Sequence, residues 1–272
     1  MSEIGLVDSH IHLTDYESGT DISAVIAEGA KAGVSHLVCN GTCERDWPLV
    51  AELARMHSGV VPFFGLHPWF VNGRSPDWLA VLEKLVGSNR CGVGEAGLDR
   101  MIEGRDPVVQ EEVFRSQLRL AHRLERPIAV HCVRAWGWLM DVLASEEAIP
   151  RMLIHAFGGA ADLVGPLAGM GAYFSFSATV LNPSHRRAAA ALAAVPRNRL
   201  LVETDAPNML PVEPYQRSVV PATNGGVHNH PANLPMIVEG IAAMLGEPVE
   251  SLKARLWENS ARFFGTQLEG HR

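Results

Sequence analysis

The chain has 272 residues, 47% of them apolar and 19% charged, which is enough apolar material for a large core and argues against wholesale disorder. Its formal net charge of −7 excludes a broad basic surface of the kind that grips nucleic acid along its length. No apolar run reaches the roughly 18 residues that a membrane-spanning helix needs.

Met1-Ser-Glu-Ile-Gly has no basic n-region and runs directly into the first apolar stretch, so neither a signal peptide nor a membrane anchor is expected. Ile4 to Val7 reads as a strand leading into His10-Ile-His12. Asp21 is placed to cap a helix to about Lys31, with Ile22, Val25 and Ile26 as its apolar face and Gly33 as its stop. A strand over Ser35 to Cys39 is followed by a helix opened by Asp46 and Trp47 and reaching about His57. Val60 to Gly65 is a third strand, running into Leu66-His67-Pro68-Trp69, and Pro76-Asp-Trp-Leu opens a helix to about Val86. Cys91 to Glu95 is a short fourth strand. Asp106-Pro107 then starts a helix to Glu125, cap first and proline in the first turn.

A fifth strand, Pro127 to Val130, ends at His131, and a helix follows over Ala135 to Ala144. The sixth, Met152 to Ile154, ends at His155 and precedes a helix over Ala161 to Ala168. Tyr173 to Phe176 is the seventh, followed by a helix from Arg187 to Val195. Leu200 to Val202 is the eighth, ending in Glu203-Thr-Asp205. Helices over Leu234 to Leu245 and Val249 to Phe264 close the chain. The stretch from Ala206 to Pro235, with six prolines and Gly225-Gly226, reads as a lid or binding loop. Eight strands alternating with helices predict a parallel sheet closed into a (β/α)8 TIM barrel, as a single domain spanning residues 1–272.

In such a barrel the reactive groups sit at the C-terminal ends of the strands. His10 and His12 end the first strand, His67 follows the third, Glu95 ends the fourth, and His131, His155 and Asp205 end the fifth, sixth and eighth. Side chains two apart on a strand face the same way, so His10 and His12 can approach one ion together. Four histidines, one glutamate and one aspartate exceed what one tetrahedral zinc needs. They suit two divalent ions that share a bridging carboxylate about 3.5–4 Å apart. Glu95, central in the set, is the expected bridge, and Asp205 is expected both to bind metal and to take a proton from an attacking water. Imidazoles favour zinc, nickel or iron-like ions; carboxylates and phosphate admit magnesium or manganese.

The other histidines, such as His36, His57, His122, His185 and His271, read as structural or solvated. Cys39, Cys43, Cys91 and Cys132 lack zinc-knuckle spacing and are expected as reduced thiols in a cytoplasmic protein. Asp99 and Arg100 could orient the site, bind phosphate or pair with each other. Arg134, Arg186 and Arg187 are candidate phosphate contacts, and Trp69, Trp136 and Trp138 could stack on a base or pack under the lid, where Tyr215, His228 and His230 also lie.

Asp8-Ser-His-Ile-His12, Gly65-Leu-His-Pro68, Gly94-Glu-Ala-Gly-Leu-Asp99, Gln110 through Arg126, Val130-His131, His155-Ala-Phe-Gly158, Glu203-Thr-Asp-Ala-Pro207 and Glu258-Asn259 before Arg262-Phe263 together resemble the TatD family of metal-dependent hydrolases. The resemblance covers about residues 4–265. It implies a distorted TIM barrel, a two-metal centre held by His10, His12, Glu95, His131, His155 and Asp205, His67 near the substrate, and deoxyribonuclease chemistry. Two departures fall on the expected substrate side. His131-Cys-Val-Arg-Ala135 has Val133 where the family often has arginine, with Arg134 one place later. Asn229-His230-Pro231 has His230 where the family often has glutamate.

The leading expectation is therefore a phosphodiesterase acting, given the negative net charge, on DNA ends or short oligonucleotides, with no obligate protein partner. A hydrolase of a small-molecule ester, amide or lactone on the same barrel is the alternative. Lactonase-type barrels often use a carboxylated lysine as bridge, and none of the three lysines, Lys31, Lys84 and Lys253, falls at a predicted strand end. A metal-binding module without turnover is the remaining reading.

Overall fold

Eight parallel strands pair in chain order: β1 (Leu6–Ile11), β2 (Val34–Asn40), β3 (Val60–Phe64), β4 (Gly92–Asp99), β5 (Ile128–Val133), β6 (Met152–Ile154), β7 (Tyr173–Phe176) and β8 (Leu200–Val202). The structure, a computed structural model, describes residues 5–104 and 106–268, so Ile4 of the expected first strand and His271 lie outside the described residues. Helices follow the strands: α1 (Ile22–Lys31), α2 (Trp47–Met56), α3 (Trp78–Ser88), α4 (Pro107–Arg123), α5 (Trp136–Ser145), α6 (Val164–Gly169) and α7 (Arg186–Ala194), with α8 (Leu234–Leu245) and α9 (Val249–Phe264) after the long loop. This is the expected TIM barrel.

Local chemistry sets the starts of two helices. The Asp21 carboxylate accepts the Ala24 N–H at 3.0 Å, and Asp106 accepts those of Val108 and Val109 at 2.9 and 3.1 Å, satisfying donors that the first helical turn leaves free. Asp46 precedes α2 as expected, but its side chain reaches back to accept the Thr42 N–H at 2.8 Å and the Thr42 hydroxyl at 2.6 Å instead of capping the helix. Three strands outrun their sequence limits by three or four residues. β1 continues past Val7 to Ile11, β4 past Glu95 to Asp99, and β5 past Val130 to Val133. The extension of β4 depends on Gly97, where an added Cβ would collide with the backbone of His131; that missing side chain lets β4 and β5 stay paired level with the site. The 206–235 loop is not wholly irregular, because β9 (Val220–Pro221) and β10 (Val227–His228) form an antiparallel hairpin.

The barrel is distorted where β8 meets β1. The ladder does not continue across this seam. Instead the Asp205 N–H donates to the His10 carbonyl at 3.0 Å and the His12 N–H to the Ala206 carbonyl at 2.8 Å. The Ser9 hydroxyl donates to the Val202 carbonyl at 2.8 Å, and the buried Asp8 carboxylate accepts the Thr204 N–H at 2.9 Å. Two backbone bonds thus lock Asp205 beside His10, and the Ser9 and Asp8 side chains complete the seam.

The strands' period of two sorts the interior into layers. Val7, Val38, Val61, Phe63, Ala129, Leu153, Tyr173 and Leu201 form one apolar cluster inside the barrel, joined by Phe263 and Phe264 from the end of α9. A larger cluster packs the outer faces of the strands against the helices. The next inward position along several strands is polar, and there the site begins.

Candidate metal centre

Two residues beyond Ala129 on β5 comes His131; beyond Leu153 on β6 comes His155; beyond Leu201 on β8 comes Glu203; beyond Val38 on β2 comes Asn40. β4 contributes Glu95, β1 contributes His10, and His12 follows its end. Asp205, with φ of 53°, turns back toward this layer just after β8. Most of the set is buried: His10, His12, Glu95, His155 and Asp205 are each at most 7% exposed.

Glu95 is the hub. Its Oε2 lies 3.3 Å from His10 Nε2 and 3.1 Å from His12 Nε2. Its Oε1 lies 2.8 Å from His131 Nδ1, 2.8 Å from His155 Nε2 and 3.3 Å from His67 Nε2. Asp205 Oδ1 joins the first group, 3.5 Å from His12 Nε2 and 3.7 Å from His10 Nε2. The six expected residues and His67 are therefore all brought together, divided between the two oxygens of one carboxylate.

The outer contacts reveal which ring nitrogens face inward as acceptors. His12 Nδ1 is 3.1 Å from the Asn40 carbonyl, which can only accept, so the ring's proton sits there and Nε2 turns a lone pair inward when the ring is neutral. His131 Nε2 lies 3.1 Å from Asp99 Oδ2, leaving Nδ1 toward Glu95. His67 is the reverse: its Nδ1 accepts the Trp69 N–H at 3.2 Å, so its Nε2 carries the proton toward Glu95. His67, Glu95 and His131 lie close enough to share an ion, but this tautomer makes His67 a donor rather than a ligand.

The lone pairs of His12 Nε2 and His131 Nδ1 thus face Glu95 oxygens, and His10 Nε2 lies 3.0 Å from His12 Nε2. Acceptors facing acceptors need a cation or extra protons between them. Asp205 Oδ1, His10 Nδ1 and His155 Nδ1 are buried without a hydrogen-bond partner, in a class of buried atom that is nearly always satisfied. Ligand atoms of His10, His12 and Asp205 lie within 4.8 Å of one another, as do those of His10, His155 and Glu203. The donor set fits divalent metal.

Titration behaviour follows from the crowding. Burial alone would raise the Glu95 carboxyl, but His155, His67 and His10 outweigh it and hold Glu95 ionised well below the usual range. Burial pushes Asp205 up to about 7, reinforced by Glu203 and Glu95 and opposed by His12 and His155. For His12, burial is overcome by Glu95, Asp205 and Asp15, which carry it to about 9. Burial dominates at His67, pushed down to about 4, in keeping with its neutral tautomer.

Sequence reading missed Glu203. It is fully buried, accepts the Ala156 N–H at 2.7 Å and the Ser175 hydroxyl, and places Oε1 3.6 Å from His155 Nδ1. Its signal was its phase, two residues after Leu201 and in step with His131 and His155. Asp99 does not pair with Arg100; its carboxylate serves His131 and accepts the Trp69 indole N–H at 2.8 Å. Arg134 is exposed at the end of β5 with φ of 51° and makes no ion pair with any described residue. His230 departs from its expected place on the substrate side. The ring is buried, its Nδ1 accepts the Ala232 N–H at 2.9 Å, and its Nε2 lies 3.3 Å from Glu28 of α1. Those bonds tie it to the neighbouring helix rather than to the Glu95 cluster. In the lid, His228 pairs with Glu17 at 3.3 Å. All four cysteines are free.

Comparison with known proteins agrees with this architecture. Residues 7–265 match the family described as TatD related DNase. A 3'-5' ssDNA/RNA exonuclease TatD from Dickeya dadantii is 30% identical, covering 95% of this chain and 97% of its own. A protein named uncharacterized metal-dependent hydrolase YcfH from Escherichia coli is 31% identical over 95% of each. The crystal structure of YJJV, a TatD homolog from Escherichia coli, superposes with a TM-score of 0.85 at 24% identity, covering 95% of this chain and 97% of that one. The sequence motifs, the barrel and these matches agree, and the chain belongs to the TatD related DNase family of metal-dependent hydrolases.

Proposed function

We propose that the chain is a two-metal phosphodiesterase that removes nucleotides from the ends of single-stranded nucleic acid, working as one domain. The observation that carries the metal reading is the division at Glu95: His10, His12 and Asp205 gather at Oε2, while His131 and His155 gather at Oε1. One ion would be held by each group, with Glu95 as the shared ligand. Bound divalent ions supply charge stabilisation to a phosphate and lower the pKa of a water.

The chain's own groups have separate tasks. Asp205 keeps Oδ1 free of hydrogen bonds and accepts a proton from the attacking water. Glu203 and Asp99 hold His155 and His131 in position. His67 presents Nε2–H toward the centre, and Arg134, exposed and without an ion pair among the described residues, offers a guanidinium at the mouth that suits a phosphate next to the one attacked. The net charge of −7 supports a strand end held locally over a long duplex held along its length. The relative from Dickeya dadantii, named as a 3'-5' ssDNA/RNA exonuclease, supports the same substrate class. Lys31, Lys84 and Lys253 lie on α1, α3 and α9, away from the strand ends where a carboxylated lysine would bridge metals. No helix among the described residues is long and apolar enough to cross a membrane.

The test is digestion of end-labelled single-stranded DNA by metal-stripped protein, restored separately with magnesium, manganese or zinc. Metal-dependent release of nucleotides that Glu95→Ala abolishes is the expected result. Protein shown to bind two ions but inactive with every metal would overturn the nuclease reading.

A further inference from the structure

Trp69 is 61% exposed, yet it is held at three points. Its backbone N–H donates to His67 Nδ1 at 3.2 Å, its indole N–H donates to Asp99 Oδ2 at 2.8 Å, and the His67 ring meets it edge-on with centroids 5.1 Å apart. Both anchors belong to the site. His67 Nε2 is 3.3 Å from Glu95, and the Asp99 oxygen that accepts the indole also lies 3.1 Å from His131. The other two tryptophans of the barrel mouth are spent on packing: Trp136 stands edge-on to Phe157 at 5.0 Å, and the half-buried Trp138 donates to Glu111 at 2.6 Å.

An exposed indole ordinarily has freedom to turn, and its one polar atom can bond water. Here that atom is bound inward, so the ring is fixed and leaves a large flat apolar surface open beside the Glu95 cluster. A flat face of that kind binds any base by stacking, and fixing it beforehand lowers the ordering cost of binding. We infer that Trp69 is the platform on which a nucleobase next to the scissile phosphate stacks, so that the protein recognises a base-bearing strand end as well as its phosphate. The inference rests on the nuclease reading above and specifies which part of the substrate beyond the phosphate is held.

The test compares kcat/KM of the metal-loaded enzyme on single-stranded oligonucleotides that either carry a base or are abasic at the nucleotides flanking the scissile phosphate. In wild type the base-bearing substrate is preferred. Trp69→Leu reduces that preference about tenfold, through KM. Trp69→Phe, which keeps an aromatic face without the indole N–H, retains most of it. If Trp69→Leu slows both substrates equally, through kcat, the residue only orients Asp99 and His131 and the platform is refuted. A wild type that cleaves both substrates equally well refutes it too. A wild type that cleaves neither removes the nuclease reading and the platform with it, an outcome seen before any variant is made.

Discussion

Ala129, Leu153 and Leu201 face into the N-terminal half of the barrel, and two residues further along the same strands His131, His155 and Glu203 face into the C-terminal half. The first layer closes with Phe263 and Phe264 into a continuous apolar cluster. Each leucine and phenylalanine of that cluster stabilises the fold by about 1.5–3 kcal/mol through burial. The second layer takes imidazoles and carboxylates out of water and leaves Asp205 Oδ1, His10 Nδ1 and His155 Nδ1 unpartnered, which opposes folding. Two layers of one set of strands therefore answer different demands: the lower makes the barrel stable, and the upper gathers groups that could hold a metal ion.

The sharpest way to break that comparison is a paired substitution. Glu95→Ala removes the carboxylate on which the upper layer converges, and activity is expected to fall on the order of 10³-fold, the scale of losing one essential electrostatic contact. Its circular dichroism spectrum is expected to remain that of a folded barrel. Leu153→Ala in the lower layer should do the opposite. It is expected to cost about 2–5 kcal/mol in denaturant unfolding while metal bound per folded molecule stays at the wild-type value. A Glu95→Ala protein that unfolds like Leu153→Ala would mean that the upper layer is part of the stabilising core after all.

Smaller effects sharpen the division within the upper layer. Asp205→Asn keeps the shape but cannot hold the proton, so kcat is expected to fall about 10²-fold or more while KM shifts little. Equal changes in both would assign Asp205 to substrate binding instead. Glu203→Gln keeps the Ser175 and Ala156 contacts within reach but weakens the pull on His155. Metal affinity measured by calorimetry is expected to drop about 10–100-fold. Unchanged affinity would leave Glu203 as a buried partner of Ser175 alone.

The barrel was legible because its signals are local: apolar runs of strand length, Asp21 and Asp106 before helices, and Pro107 in a first turn. The Glu95 cluster was legible because each member stands at a strand end, where the fold puts it at one mouth. Glu203 is harder to see because it stands beside Asp205 in one polar ending, and only its phase, two residues after Leu201 of β8, sets it apart. The role of Asp99 escaped because its partner, His131, lies on the neighbouring strand, and pairing across strands is set by register, which a single sequence does not state. His230 was misplaced for the same reason: the lid's path back against α1 is decided by the bonds of His230 to Ala232 and Glu28, which are made only after the loop has folded.

The mildest test uses pH alone. Asp205 rises from its ordinary 3.8 to about 7 through burial, and His12 rises from 6.5 to about 9 because Glu95 and Asp205 outweigh its burial. Both are raised, so both act on the metal-free protein with one sign. The contribution of Asp205 to stability is complete below pH 3.8 and disappears as pH climbs through 7; that of His12 is complete below 6.5 and disappears through 9. Asp205 should therefore cost the metal-free protein stability between about pH 4 and 7, and His12 between about 6.5 and 9. Metal ligands must be deprotonated, so ion binding expels these protons, about one or more per molecule at pH 7.5, and tightens as pH rises across the same window. The loaded protein is spared the loss, and the difference in Tm with and without chelator is expected to widen from pH 6 to pH 9. A difference that narrows with rising pH would mean that the upper layer is already deprotonated when empty, and that some other cation or solvent holds its facing acceptors apart.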